Sequence, residues 1–200
     1  MMRLRSSPPS PFGRKTKIAA KYLNLSNKIE IEATETISPE KAFLTENPLG
    51  KIPVLILEDG RVFYDSRVIL EVLDHLAGGG RILPADPDAR FAALTLQALA
   101  DGLMDAALLQ VYERRFRTED KVDQGWLDRQ AGKVARALAV LEAAPPAAGV
   151  DVGTIAVACA LGYLDLRFAG SWRADHPNLV AWLDAFETAC PAYGQTAPTA

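Results

Sequence analysis

Asn47–Arg67, NPLGKIPVLILEDGRVFYDSR, decides the fold of this chain. Val54-Leu55-Ile56-Leu57 and Val62-Phe63-Tyr64 are β-rich runs, and Glu58-Asp59-Gly60-Arg61 lies between them. Asp59-Gly60 tolerates the positive φ of a tight I′ turn, so the two runs are expected to pair as a hairpin. Pro53 cannot donate to a strand ladder and must mark the strand's start. A cis Ile52-Pro53 bond is accessible there, because X-Pro disfavours cis by only about 0.5–1 kcal/mol. Asp65-Ser66 falls at the mouth of the next helix, whose free N–H groups attract anions. The layout offers strand-like main-chain pairing to an extended ligand and a helix terminus to its carboxylate.

Outward from this hairpin, the N-terminal part alternates. Met2–Arg5 is a short, poor strand, and Arg14–Leu25 carries Ile18, Ala19, Tyr22 and Leu23 at helical spacing. Ile29–Ala33 alternates strictly, as a half-exposed strand does. Ser38-Pro39-Glu40 reads as an N-cap followed by proline at the first helical position. After the hairpin, Val68, Ile69, Val72, Leu73 and Leu76 form one apolar helix face. The predicted order is βαβαββα over residues 1–78, with a glycine-rich linker at 79–87. Residues 88–200 read as an all-helical domain.

In that second part, Asp86-Pro87-Asp88 starts a long helix reaching about Phe116, and Thr118 caps another from about Glu119 to Ala143. Asp151 with Thr154 forms a polar cap pair for Ile155–Leu161, a stretch apolar nearly all round and therefore central. Pro177 opens a last helix, and the tail from Pro191 reads as loose.

With 200 residues and 49% hydrophobic composition, the chain can build a real core. A formal charge of −3 with mixed signs argues against nucleic acid or an anionic membrane surface as the main partner. No apolar run in the sequence approaches the roughly 18 residues of a bilayer span. The start lacks an apolar signal segment, and a cytoplasmic location is expected. Cys159 and Cys190 read as small buried hydrophobes, and His75 and His176 lack the neighbours of a metal site.

The domain order, with Asn47–Leu55 followed by Tyr64–Arg67, resembles the cytosolic glutathione transferases. Ser7-Pro8-Pro9-Ser10-Pro11-Phe12-Gly13-Arg14-Lys15 is similar to the bacterial serine-type members, and Gly153–Asp165 to the family's capped central helix. The resemblance implies an α+β fold: a thioredoxin-like domain followed by an all-α domain. It implies glutathione as co-substrate, a small hydrophobic electrophile, a homodimer and a detoxifying transferase activity. Carried over by residue, Ser10 would hydrogen-bond the glutathione sulfur, with Ser7 and Ser6 as rivals. The main chain of Ile52, held by cis Pro53, would pair with the cysteinyl backbone, and Lys51 would reach the glycyl carboxylate. Asp65 and Ser66 would take the γ-glutamyl amine and carboxylate. Arg67 would pair across the dimer or within the chain.

Phe12, Met104, Leu108 and Tyr112 would face the electrophile, although Met104 and Leu108 equally suit core or dimer contact. Asp101 and Asp105 read as a solvated face or interface partners rather than a catalytic dyad. Three features depart from the family pattern: Arg3 and Arg5 in the first strand, Pro9 beside Ser10, and Gly13 where a larger apolar residue is usual. The alternatives are a glutathione-dependent isomerase, dehalogenase or peroxidase, or a non-catalytic ligand-binding or assembly protein of the same fold.

Overall fold

A computed structural model describes residues 1–198. Strand β1 (Met2–Ser6) is full length: Leu4 pairs in parallel with Ile31 of β2 (Ile29–Ala33) and in antiparallel with Leu55 of β3 (Val54–Ile56). Strand β4 (Val62–Phe63) completes the order β2-β1-β3-β4. Arg3 and Arg5 stay in the strand because both find acids: Arg3 pairs with Glu32 at 3.0 Å, and Arg5 with Glu46. These acids come from β2 and from α2 (Lys41–Glu46).

The hairpin forms with a different turn from the one the sequence predicts. Gly60 N–H donates to Leu57 O and Leu57 N–H to Arg61 O, and positive φ occurs at Gly60 (+85°) but not at Asp59. This is a three-residue loop ending in a left-handed glycine, rather than a I′ turn, which needs positive φ at both central residues. Helix α2 begins at Lys41 after Glu40, with no side-chain cap, so Ser38 is not its cap. Its Phe43 covers Val54 and Ile56 on one sheet face. On the other face, α1 (Pro11–Tyr22) and α3 (Ser66–Leu76) bury Ile18, Ala19, Ile69, Leu70 and Leu73 against Leu4 and Leu55. Val68 and Leu76, expected in that apolar stripe, are exposed.

Helices α4 (Pro87–Phe116), α5 (Gln124–Ala143), α6 (Val152–Phe168) and α7 (Pro177–Ala189) build the second domain. By length and composition α4 is apolar enough to cross a bilayer, but here it is packed lengthwise on α6 and α5. Helix α5 starts at Gln124, because Asp123 accepts from Trp126 N–H; Thr118 merely precedes a single 3₁₀ turn.

Helix α6 is the buried centre. Asp151 accepts from Gly153 and Thr154 N–H at 2.8 Å, and Thr154 Oγ1 in turn accepts from Asp151 N–H at 2.9 Å. Asp151→Ala frees these donors and is expected to cost about 1–2 kcal/mol, measurable as a lower urea midpoint. The tail is not loose as far as it is described: Ala192 and Tyr193 are buried, and a 3₁₀ turn spans Gly194–Thr196. Thr199 and Ala200 lie outside the described residues.

Candidate functional site

The loop from β1 into α1 ends in a cap. Ser10 stands at the N-cap with Pro11 at the first helical position, and its Oγ accepts from Gly13 N–H at 3.1 Å. A hydroxyl whose oxygen is used as acceptor keeps its own proton for donation. Ser7 carbonyl accepts from Ser10 N–H at 3.2 Å, so its main chain shapes the turn. Ser6 ends β1 with a buried hydroxyl that has no partner among the described residues. Gly13 explains that crowding: a Cβ there would collide with Ser6 Oγ. The glycine that departs from the family pattern therefore serves the close approach of α1 to β1, besides any loss of helix propensity.

Ile52–Pro53 is cis, and Pro53 is buried beside the start of β3. The Ile52 main chain takes part in none of the backbone bonds found among the described residues. Asn47, which sequence reasoning quoted but gave no role, fixes this loop. It is buried, its Nδ2 donates to Lys51 O at 2.8 Å, and its Oδ1 accepts from Leu49 N–H at 3.1 Å. Lys51 is exposed beyond it. Across the hairpin, Asp65 caps α3 by accepting from Arg67 N–H at 2.9 Å, and buried Ser66 is the first helical residue. Lys51–Pro53 and Asp65–Ser66 thus flank β3 and β4, with the lysine exposed and one Asp65 oxygen already spent on the Arg67 N–H.

Next to Ser66 and the start of α1 lies a buried pair the sequence reading missed. Lys15 is 0% exposed, and its Nζ meets Asp101 Oδ1 at 2.6 Å; Arg67 Nε meets Asp101 Oδ2 at 2.8 Å. Asp101 is therefore buried (1% exposed), not part of a solvated face, and Arg67 pairs within its own chain. One carboxylate ties α1, α3 and α4 together. The signal for Lys15 was its position three residues before Ile18, on the inward face of α1. Arg14 is buried as well, donating to Tyr193 O at 2.9 Å with its guanidinium 4.0 Å from the Tyr193 ring centroid.

On α4, Asp101, Met104, Asp105, Leu108 and Tyr112 do share one face. Met104 is fully buried in the core and presents no surface; Phe12, Leu108 and Tyr112 are half-buried. Partial burial and the Asp101 charge raise the Asp105 carboxyl above its ordinary range. A recess lined by Leu109, Tyr112, Phe116 and Trp126 opens beside this face. A narrow slot joins Pro8–Pro11 to Cys159, Gly162, Tyr163 and Leu166 of α6. Burial pushes the Cys159 thiol up to about 12, which keeps it protonated.

Two family models match: the glutathione S-transferase N-terminal domain over residues 9–76 and its C-terminal domain over residues 124–185. The uncharacterized GST-like protein YibF of Escherichia coli (strain K12) is 37% identical over 187 residues, 90% of each chain. A glutathione transferase family member from Pseudomonas fluorescens Pf-5, solved with bound glutathione, superposes with TM-score 0.93 at 43% identity, covering 100% of both chains. A glutathione S-transferase from Methylobacillus flagellatus KT with GSH bound gives TM-score 0.90 at 36% identity, again over 100% of both. With a thioredoxin-like domain, a helical domain and both family models matched, the chain belongs to the glutathione S-transferase family.

Proposed function

We propose that the protein binds glutathione in the Lys51–Pro53 and Asp65–Ser66 cradle and joins its thiolate to a small hydrophobic electrophile. The observation that carries this reading is the cap geometry of Ser10. Gly13 N–H occupies a lone pair of Oγ, so the hydroxyl proton is free for a sulfur at the helix mouth. The glutathione held by the Pseudomonas and Methylobacillus relatives supports the co-substrate.

The mechanism is electrostatic. A thiol of pKa about 8.5 is only a few per cent ionised at neutral pH, and a charge-assisted bond from Ser10 favours the anion. The positive end of α1 adds a smaller term. Sulfur then attacks the electrophile, which rests against Phe12, Leu108 and Tyr112. Ser10 stays protonated throughout, and no general base is required. Lys51 holds the glycyl carboxylate as a point charge, Ile52 pairs its main chain with the cysteinyl unit, Asp65 accepts from the ammonium group, and Ser66 with the α3 amides holds the γ-glutamyl carboxylate.

The active species is a cytoplasmic homodimer in this reading. Exposed Val68, Leu76 and Phe91 near the α3–α4 side supply an apolar surface for the second copy. Calorimetric titration with glutathione, followed by thiolate absorbance of the complex, tests the proposal. Binding with a lowered thiol pKa, and turnover of 1-chloro-2,4-dinitrobenzene, are expected. No binding at millimolar glutathione overturns it, whereas binding without turnover leaves only a ligand-binding protein.

A further inference from the structure

We infer that a recess between α1, β2 and the C-terminal tail binds a medium-chain carboxylate, with Lys17 and Lys21 receiving the head group. None of the residues proposed for the glutathione cradle lines this recess, so the inference stands apart from the transferase reading.

The recess holds about 250 Å³, and its walls are mostly apolar. Leu4 of β1, Ala20 of α1, and Ile29 and Ile31 of β2 contribute side chains, with Pro8 and Pro198 beside them. Ile29 and Ile31 alternate onto one face of β2, which is the edge strand of the sheet. Ile29 is buried, whereas Ile31 keeps 55% of its surface exposed. The sheet therefore leaves an apolar wall open at its edge.

Two cations border that wall. Lys17 and Lys21 stand one turn apart on the same face of α1, and both line the recess half-buried. Like charges at this spacing repel each other, a cost that an anion between them removes. Lys21 has a local reason to be there, because it lies in the last turn of α1, where the helix dipole favours a cation. Lys17 has none. Burial and the neighbouring Arg14 charge lower its ammonium from its ordinary value, and no acid among the described residues acts on it. The acids of β2 are turned away: Glu30 alternates to the face opposite Ile29 and Ile31, and Glu32 is held by Arg3 and Arg5. A charge taken partly out of water without a partner is costly. A carboxylate answers it with two acceptor oxygens, one for each lysine.

The rest of the recess selects what the carboxylate carries. A head group alone leaves Ile29, Ile31 and Leu4 uncovered, and a second charge would lie against them. An unbranched alkyl chain covers them. A methylene is close in size to a water molecule, whose share of liquid volume is about 30 Å³, so the recess admits roughly eight such groups. A carboxylic acid of about eight carbons fits this description, its chain along the sheet edge and its oxygens at α1.

Calorimetric titration of the full chain with octanoate, with acetate and octan-1-ol as controls, tests the inference. The wild-type protein is expected to bind octanoate at least 10-fold more tightly than octan-1-ol, about the effect of one charge-assisted hydrogen bond. Affinity should also rise about fourfold for each buried methylene between acetate and octanoate. Saturating glutathione should leave the octanoate affinity unchanged. Replacing both lysines, Lys17→Gln with Lys21→Gln, is expected to abolish the preference for octanoate over octan-1-ol. The double change Lys17→Arg with Lys21→Arg should keep it. Equal wild-type affinity for octanoate and octan-1-ol, or no gain from acetate to octanoate, overturns the inference without any variant. Competition by glutathione overturns it too, since the carboxylate then sits in the cradle, as does a preference that survives the loss of both lysines.

Discussion

Asp101→Asn is expected to lower the free energy of unfolding by about 3–5 kcal/mol, the range for breaking a buried ion pair from one side. The variant leaves the Lys15 ammonium in a site with no access to water, and an amide oxygen answers it poorly. The neighbouring substitutions are expected to be milder, and the order is the test. Arg67 is half-exposed, so Arg67→Gln returns one end of its bridge to solvent and should cost about 1 kcal/mol or less. Lys15→Met leaves Asp101 with Arg67 still at 2.8 Å, so its cost should fall between the two. Lys15→Met combined with Asp101→Leu should recover much of the loss, because a buried pair replaced by apolar groups is often neutral. Urea midpoints at one pH and salt concentration measure all four. If Asp101→Asn is no worse than Arg67→Gln, the buried pair does not hold the helices. The same ion cluster reaches the cradle from both sides, since Lys15 lies five residues after Ser10 and Arg67 follows Ser66 directly. Asp101→Asn should therefore also raise the glutathione KM.

What could be read without coordinates was whatever depends on neighbours in sequence. The β-rich runs of β3 and β4, the break at Asp59-Gly60, the place of Pro53 and the cap box of Asp151 are all settled within a few residues. Asp-Gly suits two loop lengths, and hydrogen bonding between Leu57 and Arg61 selects the longer over the I′ turn. Thr118, expected to cap α5, precedes only a 3₁₀ turn, and Asp123 has its side chain on an orphan amide of the helix. The pair Lys15–Asp101 was invisible for a different reason. Its partners are 86 residues apart, and a lysine on an apolar face reads as an error until the acid that neutralises it is placed. The tail fails in the same way: Tyr193 looks unanchored until Arg14, 179 residues earlier, lies over its ring and donates to its carbonyl. Local signals pick out the residues of the proposed cradle, and long-range charge decides what stiffens the elements that carry them.

Ser10→Ala is expected to raise the thiol pKa of bound glutathione by about one to two units, the equivalent of a charge-assisted hydrogen bond worth about 1.5–3 kcal/mol. On the proposed mechanism the wild-type thiol lies below 8.5, and turnover near neutral pH would use a largely ionised nucleophile. In the variant that fraction shrinks, so kcat/KM should fall about 10- to 100-fold at pH 6.5. The deficit should narrow as pH rises through the variant's thiol pKa, because solvent then ionises the sulfur unaided. A second consequence separates this role from capping. Alanine also removes the bond to Gly13 N–H, costing about 1 kcal/mol of stability. Ser10→Asp restores a strong cap acceptor but sets a negative charge beside the sulfur. It should regain the stability and deepen the loss of activity. Ser10→Thr keeps both functions and should stay closest to wild type. A pH–rate profile of Ser10→Ala parallel to that of the wild type would remove Ser10 from sulfur activation. Ser7, half-buried in the same loop, would be the next hydroxyl to change.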